Sequence, residues 1–234
     1  IQSWGNWTAV GPSNSYFGRT IPHQYALGAG ITVSRAAGAS VDDLIIVSLN
    51  EAGSGSTDRE IYCRVGQGLT SSGSANWSSV KLFGTNDNLD VSGPCAVACV
   101  GRTGNVLNLL VAYAKGGDRK SIGMKRVDVT VTAGSLQAAN PQDYSNTPIA
   151  SFGIIGMGLG VAGTGASKLA LLHWVERDPY GNIYGWIRYS SLGANGLPSG
   201  TWGSPIPVDA SLYSSLGGQA IGAGPHDRAV CLLA

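Results

Sequence analysis

Aromatic side chains are the chemically suggestive feature of this chain. Six Trp and nine Tyr stand in a sequence that is only 12% charged, and many of them gather in two places. Trp174, Tyr184, Trp186, Tyr189 and Trp202 fall close together, and Tyr62 and Trp77 form a second group beside Glu60. A flat ring next to turn amides, an arginine or a carboxylate is a sugar-binding arrangement. The ring stacks on apolar C–H faces while the polar groups take hydroxyls. The candidate ligand-binding residues are therefore Glu60, Tyr62, Trp77, Trp186, Arg188 and Trp202. For any single Trp, the competing role is packing between neighbouring sheets.

Catalytic constellations are harder to find. A glycosidase needs two positioned carboxylates, one of them protonated. The only glutamates are Glu51, Glu60 and Glu176, and they and Asp42, Asp43, Asp58, Asp87, Asp90 and Asp178 lie at strand ends or turns, where acids are expected anyway. Asn86-Asp87-Asn88 with Asp90 lacks the glycine and terminal Glu of a twelve-residue calcium loop. His23, His173 and His226 are scattered, and no nucleophile elbow, zinc helix, phosphate loop or dinucleotide fingerprint occurs. The expectation is a protein without catalytic residues, metal or cofactor.

The elements that would position the aromatic groups are short β-branched or aromatic runs bounded by Gly, Ser and Asn, which read as antiparallel strands joined by hairpins. The clearest unit spans Leu44 to Phe83: an apolar run Leu44–Leu49, an alternating run Glu60–Val65, and Asn76–Phe83. A small-residue strand precedes it within Tyr25–Arg35. The pattern returns as Gly93–Val100, Val106–Ala114, Ile122–Val131 and a weaker fourth strand within Gln142–Ala150. It returns again as Phe152–Val161, Leu169–Glu176, Ile183–Tyr189 and Thr201–Val208, and opens once more at Gln219–Gly224 and Ala229–Leu233. Gly5–Val10 matches a fourth strand standing alone at the start. Trp7 to Trp77, Trp77 to Pro141 and Pro141 to Trp202 are steps of 70, 64 and 61 residues.

Four strands per period of that length, each unit beginning with a Gly/Ala-rich strand suited to a crowded centre, predict an all-β β-propeller in one domain. About four blades are visible, and the N-terminal strand closes the last one, removing exposed edges. A β-sandwich or open barrel is the alternative architecture.

Composition narrows the partners. At 234 residues the chain can bury a sizeable core, and 35 Gly with few charges indicate tight turns. A net charge of +1, spread without a basic stripe, argues against nucleic acid. The longest apolar run, near Phe152–Val161, is too short for a bilayer span. The expected partners are glycans or glycoconjugates, with a homo-oligomer completing or multiplying the propeller. Cys95 and Cys99 share a strand face roughly 13 Å apart, beyond disulfide reach, so the cysteines read as buried apolar residues. The start at Ile1 suggests a removed leader, and Asn6-Trp7-Thr8 and Asn76-Trp77-Ser78 are glycosylation sequons. Together these favour a secreted or extracellular setting.

Two resemblances bear on function. The stretches Ser71–Trp77 and Ser190-Ser191 with Gly200-Thr201-Trp202 resemble the Asp-box turns of sialidase-type propellers, here without the Asp. Gly18-Arg19-Thr20-Ile21-Pro22 resembles the Arg-Ile-Pro opening of sialidases, whose Arg binds a substrate carboxylate. Arg59-Glu60-Ile61-Tyr62-Cys63 followed by Trp77, and Asp178–Trp186 followed by Trp202, resemble blades of the fungal fruit-body fucose-binding lectins. In that family an Arg, a Glu and an aromatic hold the sugar between blades. The resemblance implies a non-enzymatic lectin, with Glu60, Tyr62 and Trp77 matching. A sialidase-like glycoside hydrolase, whole or fragmentary, and a protein-interaction propeller are the alternatives.

Overall fold

A computed structural model of the chain describes residues 29–51, 59–68, 76–84, 91–145, 147–163, 165–208, 219–223 and 229–233. The N-terminal strand expected around Trp7, Arg19, and Tyr25–Leu27 lie outside the described residues. So do Asp58, Asp87 and Asp90.

The repeated pattern folds as three antiparallel meanders, each with its strands in chain order. Sheet 1 holds β1 (Ala29–Ser34), β2 (Asp43–Glu51), β3 (Arg59–Gln67) and β4 (Asn76–Gly84). Sheet 2 holds β5 (Val91–Thr103), β6 (Val106–Lys115), β7 (Ser121–Thr132) and β8 (Ser135–Tyr144). Sheet 3 holds β9 (Gly153–Ala162), β10 (Leu169–Arg177), β11 (Ile183–Ser191) and β12 (Ile206–Val208). A two-stranded hairpin, β13 (Gln219–Ala223) with β14 (Ala229–Leu233), follows. The only helical element among the described residues is a short 3-10 turn, Gly165–Ser167.

The first strands of successive sheets are neighbours: β1 lies by β5, β5 by β9, and β9 by β13. Small residues make this approach possible. A side chain on Gly30 would collide with the Ala96 and Val97 backbone, so the first strand of sheet 1 contacts sheet 2 almost backbone to backbone.

Sheet 2 is covered on both faces, and its residues alternate between two cores. Val97, Leu109, Val111 and Val129 join Ile45, Val47, Ile61 and Phe83 of sheet 1. Ala98, Leu110, Ala112 and Met124 join Leu159, Leu172 and Trp174 of sheet 3. This explains why β6 reads as a nearly unbroken apolar run, since a strand buried on both sides has no solvent face to alternate with.

Two strand assignments need correction. The fourth strand of sheet 2 is Ser135–Tyr144, ending where the sequence reading placed only its beginning. Gly134, at φ 80°, lets Thr132 pair with Ser135 across a two-residue turn, so β8 starts at once. Asn140, at φ 52°, sits at the irregularity between Arg126 and Asp128, and Pro141 is tolerated because β8 is an outer strand. In sheet 3 the expected Thr201–Val208 strand shrinks to Ile206–Val208. Pro205 and Pro207 lack ladder donors, and within Thr201–Pro205 only Gly203 N–H reaches across, to Tyr189 O at 2.9 Å.

Candidate functional site

Trp186, Arg188 and Trp202 come together. Register places Trp174 opposite Trp186 and Leu172 opposite Arg188, and residues directly opposite in a ladder share a face. That face of sheet 3 meets sheet 2: Trp174 and Leu172 are in the shared core, and Trp186 and Trp202 pack against it half-buried. The Arg188 guanidinium lies over the Trp174 ring, 5.9 Å from its centroid, a cation–π arrangement. Ser190, next on this face, donates from Oγ to Gly200 O at 3.4 Å, and Tyr144 of β8 donates to the same carbonyl at 3.1 Å. The Trp202 segment is thereby tied to both sheets.

The acids of this unit serve the fold. Glu176 is buried; its Oε1 accepts Trp186 Nε1–H at 2.6 Å and its Oε2 accepts Phe152 N–H at 2.8 Å. Asp178 knots the β10–β11 turn, accepting from Tyr180 N, Asn182 N, Asn182 Nδ2 and the Tyr184 hydroxyl. Burial pushes its pKa up, but these bonds outweigh that and hold it below the usual carboxylate range.

Glu60, Tyr62 and Trp77 lie elsewhere, on the face of sheet 1 turned away from sheet 2. Their odd-numbered neighbours Ile61, Cys63 and Val65 fill the core on the other side, and period-two alternation sends Glu60, Tyr62 and Arg64 outward together. Glu60 pairs with Lys81 Nζ at 3.0 Å. Burial, then a hydrogen bond to Glu60, raises the Tyr62 pKa. Trp77 pairs with Gly66 and lays its ring over it, since a Cβ there would meet Trp77 Cζ2 at 2.8 Å. Arg64, which the sequence reading did not single out, is buried in this row and donates from Nη1 to Ser48 Oγ on β2 at 2.8 Å.

Between sheets 2 and 3 a cavity of about 350 Å³ opens at the C-terminal end of β5. Arg102, Asn108 and Arg126 form its sheet 2 wall, and Lys168, Asn195 and Gly196 face them from two loops of sheet 3. Gly196 matters sterically. It has φ 75°, and a Cβ there would stand 2.8 Å from Val100 Cγ2 and 3.4 Å from Arg126 Cδ. Glycine therefore lets the 193–197 loop close against sheet 2, where Leu197 N–H bonds Asn195 Oδ1 at 3.1 Å. Leu192, also in the wall, continues the line of Trp186, Arg188 and Ser190 beyond β11. Trp186, Arg188 and Trp202 themselves are not among the cavity's lining residues.

Sequence reasoning missed this cavity. Its charged residues are isolated in the chain, and only the Gly193-Ala194-Asn195-Gly196 turn marks the place.

Other reactive groups are withdrawn from solvent. Cys63, Cys95 and Cys99 are free thiols, and burial pushes Cys63 and Cys95 up to about 12. His173 is fully buried, its ring nitrogens have no hydrogen-bond partner among the described residues, and burial lowers its pKa to about 4. Among the described residues no group of three or more His, Cys, Asp or Glu could hold a metal ion. Nor is any helix among them long and apolar enough to cross a membrane. Comparison with protein-family models, curated proteins and solved structures finds no match.

Proposed function

We propose that this chain is a β-propeller lectin that holds carbohydrate in the space between neighbouring sheets. The ring reading is supported by the succession of Gly- and Ala-rich first strands, β1 to β5 to β9 to β13, and by the approach of β13 to β1. The terminal hairpin has two strands where the other sheets have four, and the segment around Trp7 would supply an outer strand for it.

The observation that carries the binding reading is the inter-sheet cavity, whose Leu192 follows Trp186 and Arg188 along the same face of sheet 3. Its volume is at the lower end of small-ligand sites, matching a mono- or disaccharide. Its wall offers amide, guanidinium and ammonium donors for hydroxyls. The row of Glu60, Tyr62 and Trp77 is a second place where such a ligand would fit, with the buried Arg64 on the same strand as Glu60 in place of the second-strand Arg that the resemblance calls for and β2 lacks. Turnover is not expected, because Glu176 and Asp178 spend their oxygens on structural bonds.

A glycan array probed with the purified chain tests this reading. Binding to a defined set of glycans, weakened by Trp202→Phe and Arg126→Gln in folded protein, is expected. An array without signal removes the lectin reading. Hydrolysis of aryl glycosides would replace it with the hydrolase reading.

A further inference from the structure

The cavity between sheets 2 and 3 has an unbalanced wall. Its lining includes three cations, Arg102, Arg126 and Lys168, and no carboxylate. Two acids answer them from outside the lining. Arg102 Nη1 reaches Asp43 Oδ2 of sheet 1 at 2.7 Å, and its Nε donates to Gly104 O at 3.0 Å. Arg126 Nη2 reaches Asp128 Oδ1 at 2.5 Å. Asp128 also accepts from Asn108 Nδ2 at 2.7 Å and Asn140 Nδ2 at 3.4 Å.

Two donors are left over. Lys168 has no carboxylate partner among the described residues; its Nζ donates only to Val100 O at 2.9 Å. Arg126 Nε is buried and has no hydrogen-bond partner. A buried guanidinium N–H without an acceptor is costly, and an ammonium at the mouth of the same cavity carries a full uncompensated charge. Lys168 and the Arg126 side chain line a space walled on the far side by the 193–196 loop, with Arg126 Nε itself covered by Gly196. A neutral hydroxyl would satisfy the hydrogen bond and leave the charge unanswered. An oxyanion answers both, accepting from Arg126 and pairing with Lys168 in a charge-assisted contact.

We infer that the ligand of this cavity is an acidic saccharide, whose carboxylate or sulfate sits between Arg126 and Lys168 while Asn108 and Asn195 take neighbouring hydroxyls. The inference rests on the carbohydrate-binding reading and narrows its ligand class. Arg102 adds positive charge to the same wall, with its Nε and Nη1 donors committed to Gly104 O, Ser34 O and Asp43.

The test is isothermal titration of the purified chain with glucuronate, a 6-sulfated hexosamine, glucose and inorganic sulfate. Wild type, Arg126→Gln, Arg126→Lys, Lys168→Gln and the control Arg35→Gln are compared. Arg35 pairs with Asp42 on the surface, outside this cavity. Expected are affinities for the two acidic sugars at least about tenfold above glucose, with about tenfold losses for Lys168→Gln and Arg126→Gln. Arg126→Lys should recover part of the loss, and the control none of it. Affinity should also fall as salt rises from about 0.05 to about 0.5 M, because screening weakens the partly exposed Lys168 contact. Melting curves establish that each variant is folded, and Lys168, on a loop, is the variant least coupled to folding.

Equal binding of glucose and glucuronate, unaffected by Lys168→Gln, would overturn the acidic-ligand inference and leave the lectin reading standing. Binding of inorganic sulfate with no sugar bound would overturn the saccharide assignment. Silence with all four probes would remove both readings at this site.

Discussion

Trp186 donates its indole N–H to Glu176 Oε1 at 2.6 Å, deep between β10 and β11. The other carboxylate oxygen accepts Phe152 N–H from the entrance to β9. One buried glutamate therefore joins three segments of sheet 3, and the tryptophan that sequence reasoning offered as a sugar platform is also a structural donor. Its ring face stays half-buried toward sheet 2, so the two roles use different parts of one side chain.

The first prediction separates them. Trp186→Phe keeps a ring and removes the N–H, leaving a buried carboxylate oxygen without its donor. A loss of about 1–3 kcal/mol in stability is expected from urea unfolding. Restoring much of that loss by adding Glu176→Gln, in a double-mutant cycle, would show that the damage comes from the orphaned charge. A single variant as stable as wild type would contradict the geometry.

Gly123 supplies the second. Tyr113 pairs with it across β6 and β7 and lays its ring where a Cβ would stand. Gly123→Ala should cost about 1–3 kcal/mol through overpacking. In Tyr113→Leu, which removes the covering ring, the same change should cost much less. Equal penalties in the two backgrounds would mean that the ring does not set the need for glycine.

His173 gives a pH dependence with a definite sign. Its folded pKa of about 4 lies below the ordinary 6.5, so the fold favours the neutral ring. The unfolded chain binds the extra proton, and stability is complete above about pH 6.5. It should fall by up to about 3 kcal/mol as pH drops toward 4. Asp178, also held low, adds loss in the same direction at still lower pH. Unfolding free energies from pH 4 to 8 for wild type and His173→Leu test this, because the variant should lose the part between 4 and 6.5. Parallel curves would refute it.

Thiol chemistry gives the fourth. Cys63 and Cys95 are fully buried with pKa values about 12, whereas Cys99 is half-buried and donates to Gly101 O at 3.3 Å. Pulse labelling with a neutral alkylating reagent, read by peptide mass spectrometry, should modify Cys99 well before the other two. Early labelling of Cys95 would place it outside the inter-sheet core.

The sequence alone determined the strands and their grouping. Alternation in Glu60–Val65 and glycine-bounded apolar runs report local conformation, and each meander is local in the chain, so turn chemistry and pattern suffice to read it. Where reading failed, local chemistry was ambiguous: Ala133-Gly134 looked like loop but made a two-residue hairpin, and Thr201–Pro205 looked like strand but keeps a single backbone bond to β11, from Gly203.

Tertiary structure decided what faces what. Trp186 on β11 turns toward sheet 2 and Trp77 on β4 lies on the face of sheet 1 turned away from it, because sheets 1 and 3 pack on opposite faces of sheet 2. Arg102, Arg126 and Lys168 are scattered over more than sixty residues and meet only because sheet 2 stacks against sheet 3. Stacking is fixed by the combined fit of Ala98, Leu110, Leu172 and Trp174 in one core. No single segment carries that information, so the charged cavity was invisible until the sheets were placed together.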